Sequence, residues 1–534
     1  LLDDSNATKE DHRQCLISYL LNKEITETKY NDEPKGQKQL LNHPEKDAIL
    51  QSQQKEIQSF FDMGVFELVP MSSLPKGTNL LPSHVIYKRK YKINESTQED
   101  EFTHWKARLV IGGNKQTDFT SSFAPTPSWS SIRLTLAYAC TKDWNVKSYD
   151  LASAFCRTPL VGQAIFVRPP PGLAPPGHCW QLHYAVYGLK DSNAQYNELF
   201  TSQVLAYETN IDGKSIKFEQ SDDDPCMFTL KDTSGQPILI LIAYIDDLIL
   251  ASKNDTLAKA FTTHLNNTWQ VSEPETLNRY LGIHFTRLSC GGWSYSAKAY
   301  IQKAAKKYTR YPLHPHKTPL PTGYTVIINP DDPVPQDRIK HFQSILGTLL
   351  YCSTTVRLDA THAISTLAQY STSPSEELVK MAYRVLAYLL ATQDFSIKYT
   401  LPPNVTESYT LYGYCDAGFA GDPQTRRSSE GYVIIINGGA ISWCSKRQPL
   451  VCLSTCEAEL VSLVNAAKQM IFLNKILTFL GKPQSRLLLY EDNTSTISIS
   501  KQQQSTSTGR TKHMDLRIKW IMELVSSGLL APLY

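Results

Sequence analysis

The sequence predicts a multidomain chain of the α+β class. Its 534 residues, 41% hydrophobic and 10% aromatic, suffice to bury several cores, and length alone suggests roughly three or four domains. Short β-branched runs bounded by turn signals fill the first half, and helical periodicity dominates from about residue 296 to 400. Both patterns mix again beyond the proline break Leu401-Pro402-Pro403-Asn404. The net charge is only +3, so any nucleic-acid-binding surface has to be a local basic groove. Eleven cysteines include no Cys-x-x-Cys pair and no Cys/His zinc spacing, which points to reduced thiols in a cytosolic or nuclear compartment. No apolar run approaches the ~20 residues of a membrane span, and no signal peptide is legible. The chain opens Leu1-Leu2-Asp3 rather than on methionine, as expected of a piece of a longer chain.

Taken in order, residues 1–44 are polar and without sustained periodicity, and read as tail or linker. A helical pattern over 45–63 offers Ile49, Ile57, Phe60 and Phe61 for burial, and Val65-Phe66-Glu67-Leu68-Val69-Pro70 reads as a strand. Val85 to Lys92 and Trp105 to Val110 are basic-aromatic strands. A helix over 131–140 leads into Val146-Lys147-Ser148-Tyr149-Asp150, an apolar strand delivering an acid, with Phe155 five residues on. Ile165 to Gly172 is a strand closing in a proline-rich turn. Asp224-Pro225-Cys226-Met227-Phe228 opens the strand before Ala243-Tyr244-Ile245-Asp246-Asp247-Leu248-Ile249-Leu250. There two adjacent acids sit between two apolar β-branched runs, the pattern of a tight hairpin with carboxylates at its tip. Adjacent like charges flanked by buried strands are costly unless a cation offsets them, so a metal site is favoured over a solvated Asp-Asp turn.

Beyond the break, Leu411 to Asp416 is a strand ending in an acid. A hairpin with the turn Asn437-Gly438-Gly439 follows. Ser454-Thr455-Cys456-Glu457-Ala458-Glu459-Leu460 opens a helix, and Leu487 to Tyr490 leads to Asp492-Asn493. Ser454 with Glu457 fits a capping box, which gives Glu457 a structural task.

The Asp150-x-x-x-Ala154-Phe155 block, Tyr187-Gly188-Leu189-Lys190 and Tyr244-x-Asp246-Asp247, in that order, resemble the reverse transcriptase of copia-type LTR retrotransposon Pol. Phe123-Ala124-Pro125 and Tyr280-Leu281-Gly282 add to the likeness, which runs from about residue 45 onward. Strand acid, helix acid and strand-end acid then resemble ribonuclease H, whose helix motif Glu-Leu matches Glu459-Leu460. The resemblance implies a right-hand polymerase, with fingers and palm over 45–295 and thumb and tether helices over 296–405. An α/β ribonuclease H-like domain with a mixed sheet would follow over 406–534. It implies RNA-directed DNA polymerase and ribonuclease H activities, each using two Mg²⁺ ions, or Mn²⁺, ~4 Å apart on clustered carboxylates. The ligands would be Asp150, Asp246 and Asp247 in one centre, and Asp416, Glu459 and Asp492 in the other. Lys106 and Arg108 would hold phosphates, Phe155 would lie under the sugar, Tyr244 would line the site, and Leu281-Gly282 would grip the primer end.

Implied partners are an RNA template, a DNA primer, the RNA–DNA hybrid and deoxynucleoside triphosphates, together with the integrase and capsid parts of the same polyprotein and no membrane. The implied place is a cytoplasmic virus-like particle, with the nucleus as a second compartment. Departures from the family pattern are Phe66 for a tryptophan, Asp191 for a glutamine, Tyr196 for a tryptophan and Leu358 for a proline. They motivate the rival reading of a domesticated or decaying nucleic-acid-binding particle protein without polymerase activity. A DNA-directed repair polymerase is a further rival, against which the ribonuclease H-like segment argues. In the family a fourth nuclease aspartate follows the final strand. The sequence stops within that strand, so the fourth carboxylate is expected to be missing and hybrid cleavage to be weak, with Asp515 the tempting substitute.

Overall fold

The computed structural model describes residues 33–93, 100–117, 119, 121–162, 164–326, 334–401, 409–502 and 512–534. Two helices, α1 (Gln37–Leu41) and α2 (Lys46–Asp62), precede β1 (Phe66–Pro70) and the long hairpin β2 (Leu80–Ile93) and β3 (Asp100–Ile111). The chain next forms α3 (Trp129–Lys142) and β4 (Asn145–Ala152) before returning to the first sheet with β5 (Ile165–Arg168) and β6 (His178–Leu182). That sheet has the order β1-β6-β5-β2-β3, with β2 and β5 parallel and its other pairs antiparallel. Along β3, Trp105, Ala107 and Leu109 are buried while Lys106 and Arg108 are exposed, the period-2 alternation of a half-buried strand. Helix α2 covers the buried face with Ile49, Gln53, Ile57 and Phe60. Phe61, expected in that core, is instead 37% exposed and meets Phe66 edge-on, because adjacent helical positions point ~100° apart and Phe60 occupies the inward one.

The expected tail also needs correction in part. Residues 1–32 lie outside the described residues, but Leu40 is fully buried, and Glu33 accepts from Lys88 Nζ at 2.8 Å and from the Arg89 backbone N–H at 3.0 Å. The packed structure therefore begins ahead of residue 45.

The second sheet takes β4 and then, after α4 (Ser192–Ala206), β7 (Glu208–Ile211), β8 (Lys214–Gln220), β9 (Met227–Lys231), β10 (Pro237–Tyr244) and β11 (Asp247–Ser252). Helix α5 (Asp255–Leu265) leads to β12 (Gln270–Val271) and β13 (Glu275–Thr276), and the order is β12-β4-β11-β10-β9-β8-β7, with β13 also on β4. Ile240, Ile242 and Ile249 enter the core on one face, which contains α3, whereas Leu239, Leu241, Leu248 and Leu250 enter the core on the other, with α4 and α5. Burial on both faces is why these strands read as unbroken apolar runs rather than alternating ones.

A third sheet follows, β14 (Arg279–Tyr280), β15 (Ile283–Arg287), β16 (Trp293–Ser296) and β17 (Ser396–Tyr399). Between β16 and β17 the chain runs through α6 (Lys298–Lys307), α7 (Gln336–Thr355), α8 (Thr361–Ala368) and α9 (Glu376–Ala391). Because β17 pairs antiparallel with β16, the helical region is an insertion within one sheet, and a cut at residue 296 falls inside a strand. Arg357 is buried and donates to both Asp359 oxygens, to the Leu389 and Thr392 carbonyls and to Thr392 Oγ1. It ties the end of α7 to the end of α9, an arrangement indifferent to the leucine at 358.

The last sheet is built from β18 (Tyr412–Gly418), β19 (Ser429–Ile436), β20 (Gly439–Arg447), β21 (Leu487–Tyr490) and β22 (Leu530–Leu533), with α10 (Thr455–Phe479), α11 (Thr494–Ser500) and α12 (Lys512–Ser526) between them. Its order β20-β19-β18-β21-β22 is antiparallel up to β18 and parallel beyond it, so it is mixed. Helix α10 is long and apolar enough to cross a membrane by length and composition, contrary to the expectation of no such run. Most of its apolar window is nonetheless buried inside the protein, as in the core helix of a globular domain.

This last unit is docked, not merely tethered. Arg133 of α3, only 3% exposed, donates to the carbonyl of Ile441 on β20 (3.0 Å) and to those of Thr354 (2.5 Å) and Thr355 (2.8 Å) at the end of α7. The face of Trp443 lies 3.9 Å from its guanidinium carbon. Asn437 at the β19–β20 turn donates to the Ala137 carbonyl and to Thr141 Oγ1, and Trp443 Nε1 donates to the Ser353 carbonyl. One buried cation thus holds three parts of the chain together. Arg133→Leu should strand the Thr354 and Thr355 carbonyls, while Ile441 O keeps its bond from Ser130 Oγ (3.3 Å), and cost about 3 kcal/mol in the first unfolding transition under denaturant. It should also expose the segment around residue 400 to limited proteolysis; an unchanged transition and digest would mean that the junction is held elsewhere.

Two candidate acidic centres

The first centre is the β10–β11 turn. Tyr244 pairs with Asp247, leaving Ile245 and Asp246 as a two-residue loop, and Asp247 pairs in turn with Asp150 on β4. The sheet therefore brings the three acids to one end of three adjacent strands. Ile245 has φ 53, a left-handed conformation that glycine adopts freely and a β-branched residue adopts only under constraint, at a cost of about 1–3 kcal/mol. Three consecutive carbonyls of the turn are tied down. Ile245 O accepts from Tyr196 Oη at 2.7 Å, Asp246 O from the Leu151 N–H at 2.8 Å, and Asp247 O from Tyr280 Oη at 3.4 Å.

Burial pushes the Asp246 carboxyl up and the charge of Asp150 adds to this, while Arg108 and Lys106 oppose it. Burial, then Asp246 and Asp150, push Asp247 up to about 7. Both effects are those expected of clustered acids that lack a counter-cation. Lys106 and Arg108, exposed on β3, are near enough for their charge to pull Asp246 down. The sequence reading placed Lys90 in a basic strand without singling it out; its ammonium is lowered first by burial and then by Lys106 and Arg108, with Asp150 acting to raise it and Lys303 to lower it. It adds a cation from β2 to the same field. Its only signal in the sequence was membership of a basic run.

Phe155 is buried at 9% exposure, edge-on to Tyr187 (centroids 5.2 Å apart) and to Tyr196 (5.6 Å). Arg108 sits over the Tyr187 ring at 4.7 Å. Tyr187-Gly188-Leu189-Lys190 is docked on the end of β3, where a Cβ on Gly188 (φ 98) would meet the Ile111 carbonyl at 2.2 Å, so only glycine fits. Asp191 does not point at these acids. It is 4% exposed, and its oxygens accept from Gln116 Nε2 (3.1 Å) and Gln195 Nε2 (2.9 Å). The acid that breaks the family pattern is thus occupied inside the fold. Tyr244 is half-buried beside the turn. Leu281 and Gly282 form the β14–β15 turn with φ 49 and 80, and Tyr351 of α7 donates to the Leu281 carbonyl.

The second centre converges more tightly. Ligand atoms of Asp416, Glu459 and Asp492 lie within 4.8 Å of one another, and this is the one such group of three among the described residues. Asp416 comes from β18, Glu459 from the first turns of α10 and Asp492 from just beyond β21. Parallel pairing of β18 with β21 brings the two strand ends side by side. Glu457 stands apart. Its N–H donates to Ser454 Oγ (3.2 Å), and its carboxylate accepts the Leu453 N–H (2.7 Å), a capping arrangement closed one residue further out than the usual box.

Glu459 is 6% exposed, and its Oε2 is buried without a hydrogen-bond partner. Burial, then Glu491, Asp416 and Asp492, push it up to about 8. An orphaned carboxylate oxygen among three converging acids fits a hard cation with oxygen ligands. Glu491, missed in the sequence, lies behind the cluster at 2% exposure, held by Cys415 Sγ (3.2 Å) and the Asn493 N–H (3.0 Å), and burial pushes it up to about 7. Strand alternation carried its signal, since neighbours on a strand face opposite ways. Asp515 pairs with Lys519 at 2.7 Å along α12 and is outside the converging group.

Residues 64–321 match the family described as reverse transcriptase (RNA-dependent DNA polymerase). The chain is 30% identical over 514 residues to the retrovirus-related Pol polyprotein from transposon TNT 1-94 of Nicotiana tabacum, covering 94% of this chain and 37% of that protein. It is 28% identical over 508 residues to the Pol polyprotein from transposon RE2 of Arabidopsis thaliana, covering 94% and 33%. Over 317 residues it is 27% identical to a putative transposon Ty5-1 protein of Saccharomyces cerevisiae, covering 59% of this chain and 97% of that protein. The chain thus spans about a third of the length of the plant relatives.

Asp247, Glu459 and Glu491 have folded-state values raised above those of an unfolded chain, so the folded protein holds the extra protons. Their contribution to stability is fully present below the unfolded values near 4 and is lost as pH rises through about 7 to 8. In chelator, the melting temperature should fall as pH goes from about 5.5 to about 8.5, and Mg²⁺ should restore most of the loss at the upper end. A flat profile, or one indifferent to Mg²⁺, would show that these acids are not packed against one another.

Proposed function

Because this chain belongs to the copia-type LTR retrotransposon Pol family, we propose that it is an RNA-directed DNA polymerase with a ribonuclease H site, copying element RNA into DNA and degrading the RNA strand of the hybrid. The observation that carries the first activity is the register Asp150–Asp247 next to Asp246 at one sheet end, faced by Lys106 and Arg108. The first sheet serves as fingers, the second as palm and the helical insertion as thumb.

In this reading Asp150, Asp246 and Asp247 would hold Mg²⁺, which would supply neutralisation of phosphate charge and favour the deprotonated nucleophile. Lys106 and Arg108 take the triphosphate, and their β-strand spacing points both at the same face. The buried ring of Phe155 closes the floor under the sugar, where a 2′-hydroxyl would clash. Tyr244 lines the site, and the Leu281-Gly282 turn holds the primer end against the acids, so that the 3′-hydroxyl meets the α-phosphate in line. At the second centre Asp416, Glu459 and Asp492 would hold the cations beside a hybrid, and water would attack the RNA phosphodiester, breaking one P–O bond and releasing that ribose oxygen as a hydroxyl while its own proton goes to solvent. Template RNA, primer DNA, the hybrid, deoxynucleoside triphosphates and other segments of a polyprotein, integrase and capsid among them, are the partners. A cytoplasmic particle or the nucleus is the place of action.

The test is Mg²⁺-dependent extension of a primer on RNA and on DNA templates. No extension on either, with nucleic acid still bound, would favour the rival particle protein. Asp246→Asn should lower extension at least about 100-fold while hybrid cleavage persists, and Glu459→Gln should do the reverse. Parallel loss of both activities in either folded variant would end the two-centre reading.

Phe155→Val should raise ribonucleotide incorporation relative to deoxyribonucleotide by roughly 10-fold or more. An unchanged ratio with activity retained would return Phe155 to the core.

A further inference from the structure

The turn that carries Asp246 is braced unevenly. Asp246 O and Asp247 O are taken by Leu151 and Tyr280, which belong to β4 and β14 and so to the sheets themselves. The bond to Ile245 O comes from outside the sheet, from Tyr196 on α4. Ile245 is also the residue at φ 53, the one whose conformation its own side chain resists. The Tyr196 ring is 3% exposed and does not swing freely. It stacks on Phe200 (5.8 Å) and meets Trp269 (5.9 Å) and Phe155 (5.6 Å) edge-on. An immobilised ring with its hydroxyl on a strained carbonyl is a fixed strut, since little rotamer freedom remains to be lost when the bond forms.

We propose that Tyr196 is a positioning residue for the Asp246–Asp247 turn. Its hydroxyl holds Ile245 in the left-handed conformation that sets the direction of the Asp246 carboxylate, and its ring links that turn to Phe155. The part concerning Phe155 and turnover rests on the polymerase reading; the latch on the turn does not. A similar bond is made at the β14–β15 turn, where Tyr351 donates to the carbonyl of Leu281 at φ 49. A buried phenol needs a partner, and at both turns the partner is the carbonyl of a non-glycine residue in the left-handed region. The pattern also gives a role to a residue that departs from the family's tryptophan.

Tyr196→Phe removes one oxygen and keeps the ring stack. In the metal-free protein, amide hydrogen exchange over 243–248 should speed up at least about 5-fold, with α4 and the last sheet unchanged. Mn²⁺ binding, followed by electron paramagnetic resonance in an Asp416→Asn background to silence the second centre, should weaken by a similar factor. In primer extension kcat should fall about 10-fold with the nucleotide KM within about 2-fold of the unmutated protein, the signature of lost positioning and not of lost binding. Ile245→Gly supplies the second variant. Glycine adopts positive φ without penalty, so in that background Tyr196→Phe should change exchange less than about 2-fold. Wild-type exchange in Tyr196→Phe, or an equal effect in both backgrounds, would overturn the proposal. Absence of extension by the unmutated protein would instead overturn the polymerase reading, and the exchange and Mn²⁺ measurements would still decide the latch.

Discussion

Setting two adjacent carboxylates at the end of strands buried on both faces is the constraint around which this molecule is arranged. β10 and β11 are apolar above and below the sheet, so the acids have only the open end of the sheet in which to meet water or a cation. Placing them there requires a two-residue turn, and that turn forces Ile245 to a positive φ. The strain is contained by bonds to three successive carbonyls, donated by α4, β4 and the third sheet. The helices over the second sheet, and the small sheet beside it, therefore define the end of a hairpin as well as filling a core.

The second centre solves the same electrostatic problem by a different route. There the acids come from two parallel strand ends and a helix, and side chains converge within 4.8 Å without a strained turn. Glu459, buried with an oxygen unpartnered, is held protonated by its surroundings and is the acid that a cation would let ionise. In the first centre the acids are neighbours by register, and the opposing charge comes from a separate sheet through Lys106 and Arg108.

Both centres lie in one packed body. Arg133 joins α3, the end of α7 and β20, and α3 also packs against the β10–β11 strands in the same core. A strong desolvation cost for an unpaired guanidinium is met here by three carbonyls and the face of Trp443. The two acidic groups are thereby joined through packed elements.

Period-2 and period-3.6 patterns were enough to locate the helix under the first sheet, the strand bearing Asp150, the acidic hairpin and the strand, helix and strand-end acids of the last unit, because each of these signals lies within about ten residues of chain. The capping place of Glu457 was likewise legible, since a cap is a local motif. What the sequence could not convey depends on segments far apart along the chain. That Asp191 turns inward rests on Gln116, that β16 and β17 close around the helical insertion rests on a pairing a hundred residues apart in order of magnitude, and that Phe61 stays at the surface rests on which neighbour reaches the core first. The acidic residues themselves were determined by the sequence. Their mutual approach, the cations facing them and the tyrosine that holds their turn were decided only by tertiary packing, because burial and Coulomb energy depend on distance in space and not along the chain.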